Sequence, residues 1–299
     1  MHGQTTSPYQ GLGKKCSYFE GWYFKHVCGS RLLALIPGIQ MDQDGRRSAF
    51  IQIIGNEGVW QVSYPFSAFR ASSRRMAVQI GDSVFSDSGV KLHMEGPGLS
   101  LHGCIRYGWM LPLRYDIMGP FRMLPGMECR HGVVSLGHEL EGTIRLNGHN
   151  LSFTGGTGYI EKDWGRSFPS RYLWTQCNTF PGERISVMAA AASIPLTGLR
   201  FPGCIAAVHY QGQEYRLATY WGCRVSRQTE DMLILYQRRY RLEAQLLSSA
   251  PLPLLAPDRG GMTRTIYEHA ACRVRYRFWQ NGHLLFDLES DTAGFESVR

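Results

Sequence analysis

Cys272-Arg-Val-Arg-Tyr-Arg-Phe-Trp-Gln-Asn-Gly-His-Leu-Leu-Phe-Asp-Leu288 is two runs of alternating side chains joined at Asn281-Gly282. An Asn-Gly pair tolerates the two positive φ angles of a tight hairpin turn, so the stretch reads as two antiparallel strands. Gly142-Thr-Ile-Arg-Leu-Asn-Gly-His-Asn-Leu-Ser-Phe153 repeats the pattern about Asn147-Gly148, and Ile205–Tyr220 turns at Gln211-Gly212-Gln213. Ala49-Phe-Ile-Gln-Ile-Ile-Gly55 is a short apolar strand. Apolar residues in Glu230–Leu247 fit helical spacing nearly as well as alternation, and the hairpins on either side favour strand. Pro251-Leu-Pro-Leu-Leu-Ala-Pro257 lacks the N–H donors of a central strand and reads as an extended loop or edge segment.

The composition agrees with strands. The 299 residues include 15 Tyr, 14 Phe, 7 Trp and 34 Gly, which favours strands and turns over helices. Many short strands at regular spacing predict an all-β protein of sandwiches or barrels, and a barrel of about eight strands can enclose one small ligand. Length allows two domains. A boundary near Gly155-Gly156 predicts β domains at 1–154 and 155–299.

The formal charge of +8 comes mainly from arginine. Arg74-Arg75, Arg238–Arg241 and Arg273–Arg277 alternate with apolar residues, as on half-exposed strands, and do not form the stripe of a nucleic-acid-binding face. No nucleic-acid partner is expected. Eight scattered cysteines show no Cys-x-x-Cys pair and no zinc-ligand spacing. The first residues lack a basic region followed by an apolar one, so no secretory signal is read there, and reduced, mostly buried thiols in a cytoplasmic protein are expected. No apolar run approaches the roughly 18 residues of a membrane span.

Chemistry concentrates in Gly158-Tyr-Ile-Glu-Lys-Asp-Trp-Gly-Arg-Ser-Phe-Pro169. On a strand, Glu161 and Asp163 share one face, and Lys162 and Trp164 the other. Two carboxylates side by side raise the proton affinity of one and keep a proton available near neutral pH. The alternative is simple neutralisation by Lys162 and Arg166. In the next strand, Tyr172, Trp174, Gln176 and Asn178 share a face, which suits either a cavity with placed polar groups or an outward amphipathic surface. Glu20, Trp22 and Phe24 likewise share a face, as a cavity carboxylate among aromatics or as a salt-bridged core residue. Alternation does not bring Glu128, His131 and His138 together, so no metal site is expected, and His131 reads as a hydrogen-bonded support for the pocket. There is no phosphate loop and no Gly-x-Ser-x-Gly elbow, and no helical pattern follows Gly155-Gly156-Thr157-Gly158.

Tyr18-Phe-Glu-Gly-Trp-Tyr-Phe-Lys25, Glu161-Lys-Asp-Trp-Gly-Arg-Ser-Phe-Pro169, Trp174-Thr-Gln-Cys-Asn178 and Glu289-Ser-Asp-Thr-Ala-Gly294 together resemble the tocopherol cyclase family. The resemblance implies two lipocalin-like antiparallel β-barrel or sandwich domains, related to carotenoid hydratase-type folds. It implies cyclisation of a prenylated hydroquinone to a chromanol, with no redox cofactor. In that reading Asp163 is the acid, with Glu161 and Glu20 as rivals, and His131 helps deprotonate the phenol. Trp22, Trp164 or Trp174 stabilises developing positive charge, Gln176 or Asn178 orients the phenol, and Phe24 and Tyr172 are further substrate contacts. The plant-type targeting extension and Pro-Pro-His segment have no equivalent ahead of the first motif. Ile117-Met-Gly-Pro-Phe121 resembles a separate bacterial-type branch. Such a substrate resides in lipid, and a basic surface suits peripheral docking on anionic headgroups. The alternatives are a non-catalytic lipocalin-like isoprenoid or lipid binder and a related alkene hydratase.

Overall fold

The computed structural model describes residues 8–196, 199–248 and 250–299; the residues before Pro8, on which the absence of a secretory signal was read, lie outside them. Strands are numbered along the chain. The first sheet contains β1 (Tyr18–Cys28), β2 (Arg31–Met41), β3 (Arg47–Gly55), β4 (Gly58–Pro65), β5 (Phe69–Ala71), β6 (Ala77–Ile80), β7 (Ser83–Ser86), β8 (Gly89–Gly96), β9 (Leu99–Tyr107), β10 (Cys129–Leu146), β11 (His149–Ser152) and β12 (Gly156–Gly165). The second contains β13 (Tyr172–Cys177), β14 (Ser186–Leu196), β15 (Leu199–Tyr210), β16 (Gln213–Ala218), β17 (Arg224–Gln228), β18 (Met232–Gln237), β19 (Tyr240–Ser248), β20 (Leu252–Asp258), β21 (Gly261–Gln280) and β22 (His283–Val298). The protein is all-β, with two lipocalin-like antiparallel sheets.

The hairpin turns follow from the residues placed in them. Asn147, Gln211 and Asn281 have φ of 47°, 50° and 53°, and each is followed by a glycine at 75–87°. Glu230–Leu247 contributes β18 and most of β19, and the proline-punctuated stretch from Pro251 becomes β20, which pairs with β21 off the main path of its sheet. A place off the main path suits prolines, which lack the N–H that a central strand donates on one side.

Two compact units result. The first holds residues 1–113, 131–168 and 254–265, and the second holds 114–130, 169–253 and 266–299. The single cut expected after residue 154 falls between β11 and β12, both in the first sheet, whereas the units interleave along the chain. Contacts distant in sequence tie the 254–265 segment to the first unit. Gln52 clamps the backbone of Leu255, its amide donating to the carbonyl at 3.0 Å and its oxygen accepting from the N–H at 3.0 Å. Gly260 then approaches so close that a Cβ there would lie 2.0 Å from the Met41 carbonyl oxygen.

Within the first unit the sheet curls, so that β3 packs on β6 and β4 on β8. Its interior takes alternate residues: Trp22 and Phe24 of β1, Leu33, Leu35 and Ile39 of β2, Ile51 and Ile53 of β3, and Ile160 of β12. The second unit curls with β15 against β17 and β16 against β18. Leu173, Cys177, Val187, Ala206, Tyr276 and Phe278 fill its core. The arginine-rich strands are cross-paired: Arg273 with Glu289 and Arg275 with Asp287, each at 2.6 Å, and Arg277 with Glu243, also at 2.6 Å. All eight cysteines are free thiols, four of them buried. Among the described residues no helix is long and apolar enough to cross a membrane.

Candidate functional site

Antiparallel pairing of β1 with β12 sets the geometry of the site. Glu20 lies opposite Trp164, Trp22 opposite Lys162 and Tyr23 opposite Glu161. Cross-strand neighbours share a face, so two sets of polar residues point away from each other through the same two strands.

The inner face carries Glu20, Trp22, Phe24, Lys162 and Trp164. Glu20 and Lys162 form an ion pair at 2.6 Å, and both side chains are 0% exposed. The Lys162 ammonium sits 5.1 Å from the Trp22 ring centroid and 4.7 Å from that of Trp164. The two π faces thus hold a resident cation. Glu20 also accepts from the Tyr18 hydroxyl at 2.5 Å and from the Gln10 N–H at 2.9 Å, and Lys162 donates to the Pro8 carbonyl at 2.5 Å. Residues 8–10 therefore close over the pair. Burial raises the Glu20 pKa, with Lys162 working against it. Tyr9 is pushed up to about 12 by burial and by the adjacent Glu20 carboxylate.

A second polar group lies farther along this interior. His26 Nδ1 faces the Leu33 carbonyl at 2.9 Å, and that oxygen only accepts, so Nδ1 carries the proton. Nε2 then accepts from the Tyr107 hydroxyl at 2.7 Å. His138 Nδ1 meets Ser135 Oγ at 3.0 Å, and Ser135 donates onward to the Gly137 carbonyl. His138 Nε2 is buried with no hydrogen-bond partner, against Gly158, where a Cβ would lie 2.2 Å away. Burial holds His26 down to about 4 and His138 to about 3, so both rings are neutral at physiological pH.

The outer face carries Tyr159, Glu161 and Asp163, joined by His131 from β10. His131 Nδ1 is 2.9 Å from Asp163 Oδ1, and Nε2 is 3.5 Å from Glu161 Oε2. The Tyr159 hydroxyl donates to Glu161 Oε2 at 2.5 Å, and burial and the Glu161 charge raise the Tyr159 pKa well above its ordinary value. Side-chain exposure is 12% for His131, 7% for Glu161 and 23% for Asp163. Of the three, Asp163 is the most open to a reactant. One ligand atom from each lies within 4.8 Å of the others, as a small cation would need. Nδ1 is within hydrogen-bonding distance of Asp163, whereas Nε2 stands 3.5 Å from Glu161 in a charge contact.

The expected Glu161–Asp163 face is present, with His131 added to it. Trp22, Phe24, Trp164 and Glu20 lie on the opposite face. Tyr172, Trp174 and Gln176 belong to the second unit, on the face of β13 away from its core. There the Tyr172 hydroxyl donates to Glu296, which lies opposite Trp174 on one side and Glu268 on the other. Gln176 is fully buried with neither amide atom hydrogen-bonded, and Asn178, just past the strand, is half-buried. Sequence reading passed over Lys162 as the partner of Glu20, and it also passed over Tyr107, His26 and Tyr159. For Tyr159 the signal was available, two residues before Glu161 on the same face.

The sequence profile described as Tocopherol cyclase-like matches residues 105–297. The Tyr18–Lys25 cluster lies outside that match. The Zea mays protein named "Tocopherol cyclase, chloroplastic" is 34% identical over 123 residues. The Oryza sativa subsp. japonica protein designated "Probable tocopherol cyclase, chloroplastic" is 29% identical over the same length. Each match covers 39% of this chain and 26% of the relative, so it spans about a quarter of those curated proteins. In fold, the chain is similar to the crystal structure of kievitone hydratase from Nectria haematococca. The TM-score is 0.52 at 11% identity, covering 99% of this chain and 95% of that one. It is also similar to CghA, with a TM-score of 0.59 at 11% identity over 94% and 88% of the two chains. With the profile covering well over half of its length, the chain belongs to the tocopherol cyclase-like family.

Proposed function

We propose that the protein cyclises a prenylated hydroquinone, or a closely similar prenylated phenol, to a chromanol without a redox cofactor. The observation that carries this reading is the outer-face group, in which His131 sits between Glu161 and Asp163. Asp163 is the group that passes a proton to the less substituted alkene carbon. Positive charge develops on the tertiary carbon, the phenol oxygen closes on it, and the phenolic proton returns to the Asp163–His131 pair. One proton enters and one leaves, so substrate and product are isomers and no electrons are transferred. Glu161 supports the cycle by holding negative charge beside His131, which favours proton uptake by the imidazole. Tyr159, by donating to Glu161, keeps that carboxylate aligned. Ring closure within one molecule is chiefly a matter of orientation, and the acid is expected to contribute on the order of 10²–10⁴-fold. Glu20 is the weaker candidate: its oxygens are engaged by Lys162, Tyr18 and Gln10, and residues 8–10 cover it.

The test is incubation of the purified protein with a prenylated hydroquinone under reducing conditions, with isomers separated by chromatography and ultraviolet spectrum. Chromanol is expected from the wild type and at least about 100-fold less from Asp163→Asn. Full activity in Asp163→Asn would move the acid elsewhere. Tight binding with no product would make the protein a carrier, and a product one water heavier would make it a hydratase.

A further inference from the structure

A separate group of titratable side chains stands on the solvent side of β8 and β9, and the cyclase reading makes no use of it. His93 and His102 are directly opposite each other in the antiparallel register. Their Nδ1 atoms are 3.2 Å apart and their rings meet edge to face at 76°. His102 Nε2 is 2.5 Å from Glu95 Oε1, and Glu95 also accepts from Ser100 Oγ at 3.0 Å.

Donor and acceptor logic assigns the protons. A carboxylate only accepts, so His102 Nε2 carries hydrogen toward Glu95. In neutral His102 the Nδ1 lone pair then accepts from His93 Nδ1–H across the 3.2 Å contact, so an ion that binds between the two nitrogens takes the place of that one proton. Two imidazole nitrogens bound to one ion at about 2.0–2.1 Å lie about 3.0–3.4 Å apart, depending on the bond angle. The observed separation falls inside that range. Glu95 stands where a metal-bound histidine ordinarily finds a carboxylate, behind the ring on its other N–H, fixing tautomer and orientation. We propose that His93 and His102 bind a divalent transition-metal ion through their Nδ1 atoms, with Glu95 as the orienting carboxylate and water filling the remaining positions. Imidazole nitrogen suits copper, nickel and zinc, and copper(II) binds tightest in that series. His102 is 31% and Glu95 62% side-chain exposed, so an ion reaches the site from solvent. Arg145, opposite His102 on β10, and Lys91, two residues before His93, are cations nearby that temper the affinity.

The test is titration of the tag-free protein with copper(II) and nickel(II) chlorides, followed by calorimetry, by visible absorbance for copper, and by melting temperature with and without metal. His93→Ala and His102→Ala are each expected to lower affinity at least about tenfold, and Glu95→Gln by about tenfold. Metal-free melting temperatures should stay at the wild-type value, because all three side chains are at the surface. Metal should raise the melting temperature of the wild type, since it binds only the folded pair. Equal affinity in the wild type and His93→Ala would overturn the site. Wild-type affinity in Glu95→Gln would overturn the role of the carboxylate. Cys104 is exposed two residues from His102 on β9, so every measurement is made in a Cys16→Ser, Cys104→Ser background. The outcome is independent of the cyclase assay, because none of these residues belongs to the His131 group.

Discussion

Lys162 and Asp163 are neighbours in β12, yet they end in opposite surroundings. Lys162 is sealed in the interior of its unit, fully unexposed, with Glu20 at 2.6 Å and two tryptophan faces around it. Asp163 is on the other side of the sheet, 23% exposed, with His131 at 2.9 Å. The inner pair is a closed arrangement: each lone pair or proton named above is taken up by protein, and residues 8–10 cover it. In the outer group, Asp163 is the member most exposed to solvent. Charge by itself therefore does not mark a reactive site. Breaking a buried ion pair at one partner strands a charge, whereas proton chemistry needs a group that a reactant can reach.

The comparison breaks most visibly at Lys162. Lys162→Met is expected to destabilise the protein by about 3–5 kcal/mol, because it leaves the Glu20 carboxylate buried without its countercharge. Denaturant unfolding measures this. The double variant with Glu20→Gln should recover most of the loss, and failure to recover would mean that Lys162 acts by packing alone.

Acid sharpens the contrast next. Unfolded histidine takes up its proton near pH 6.5, but His26 does so only near about 4 and His138 near about 3 in the fold. Between those values the unfolded chain binds more protons, so stability falls as pH falls. The slope approaches about 1.4 kcal/mol per pH unit for each histidine. Melting temperature followed from pH 7 to pH 4 should drop steeply in the wild type and less steeply in His138→Gln. Parallel curves would show that His138 does not titrate with unfolding.

The smallest effect on stability is expected at the outer face. Asp163→Asn keeps an acceptor for His131 at a partly exposed position, so unfolding free energy should change by less than about 1 kcal/mol. A loss comparable to that of Lys162→Met would mean that the outer group holds the fold together, and would weaken its assignment to chemistry.

Much of this architecture was legible from residues alone. Asn147-Gly148, Gln211-Gly212 and Asn281-Gly282 mark turns because few residue pairs accept two successive positive φ angles. The pairing of Glu161 with Asp163, and of Lys162 with Trp164, follows from the two-residue repeat of a strand. The Gly158–Asn178 region feeds two different sheets, β12 the first and β13 the second, which local reading does not show. The division of the chain was also beyond local reading, since a short segment from Leu254 joins the first unit through Gln52, about two hundred residues earlier.

Alternation determined which residues share a face, which turns are tight and that the protein is built of antiparallel strands. Only the tertiary structure decided which face looks inward. That choice depends on β1 lying beside β12, which brings Glu20 to Lys162, and on β10 delivering His131 to Glu161 and Asp163. Local propensity is a property of neighbours along the chain, whereas burial, ion pairing and proton affinity are set by whichever distant strand closes the sheet.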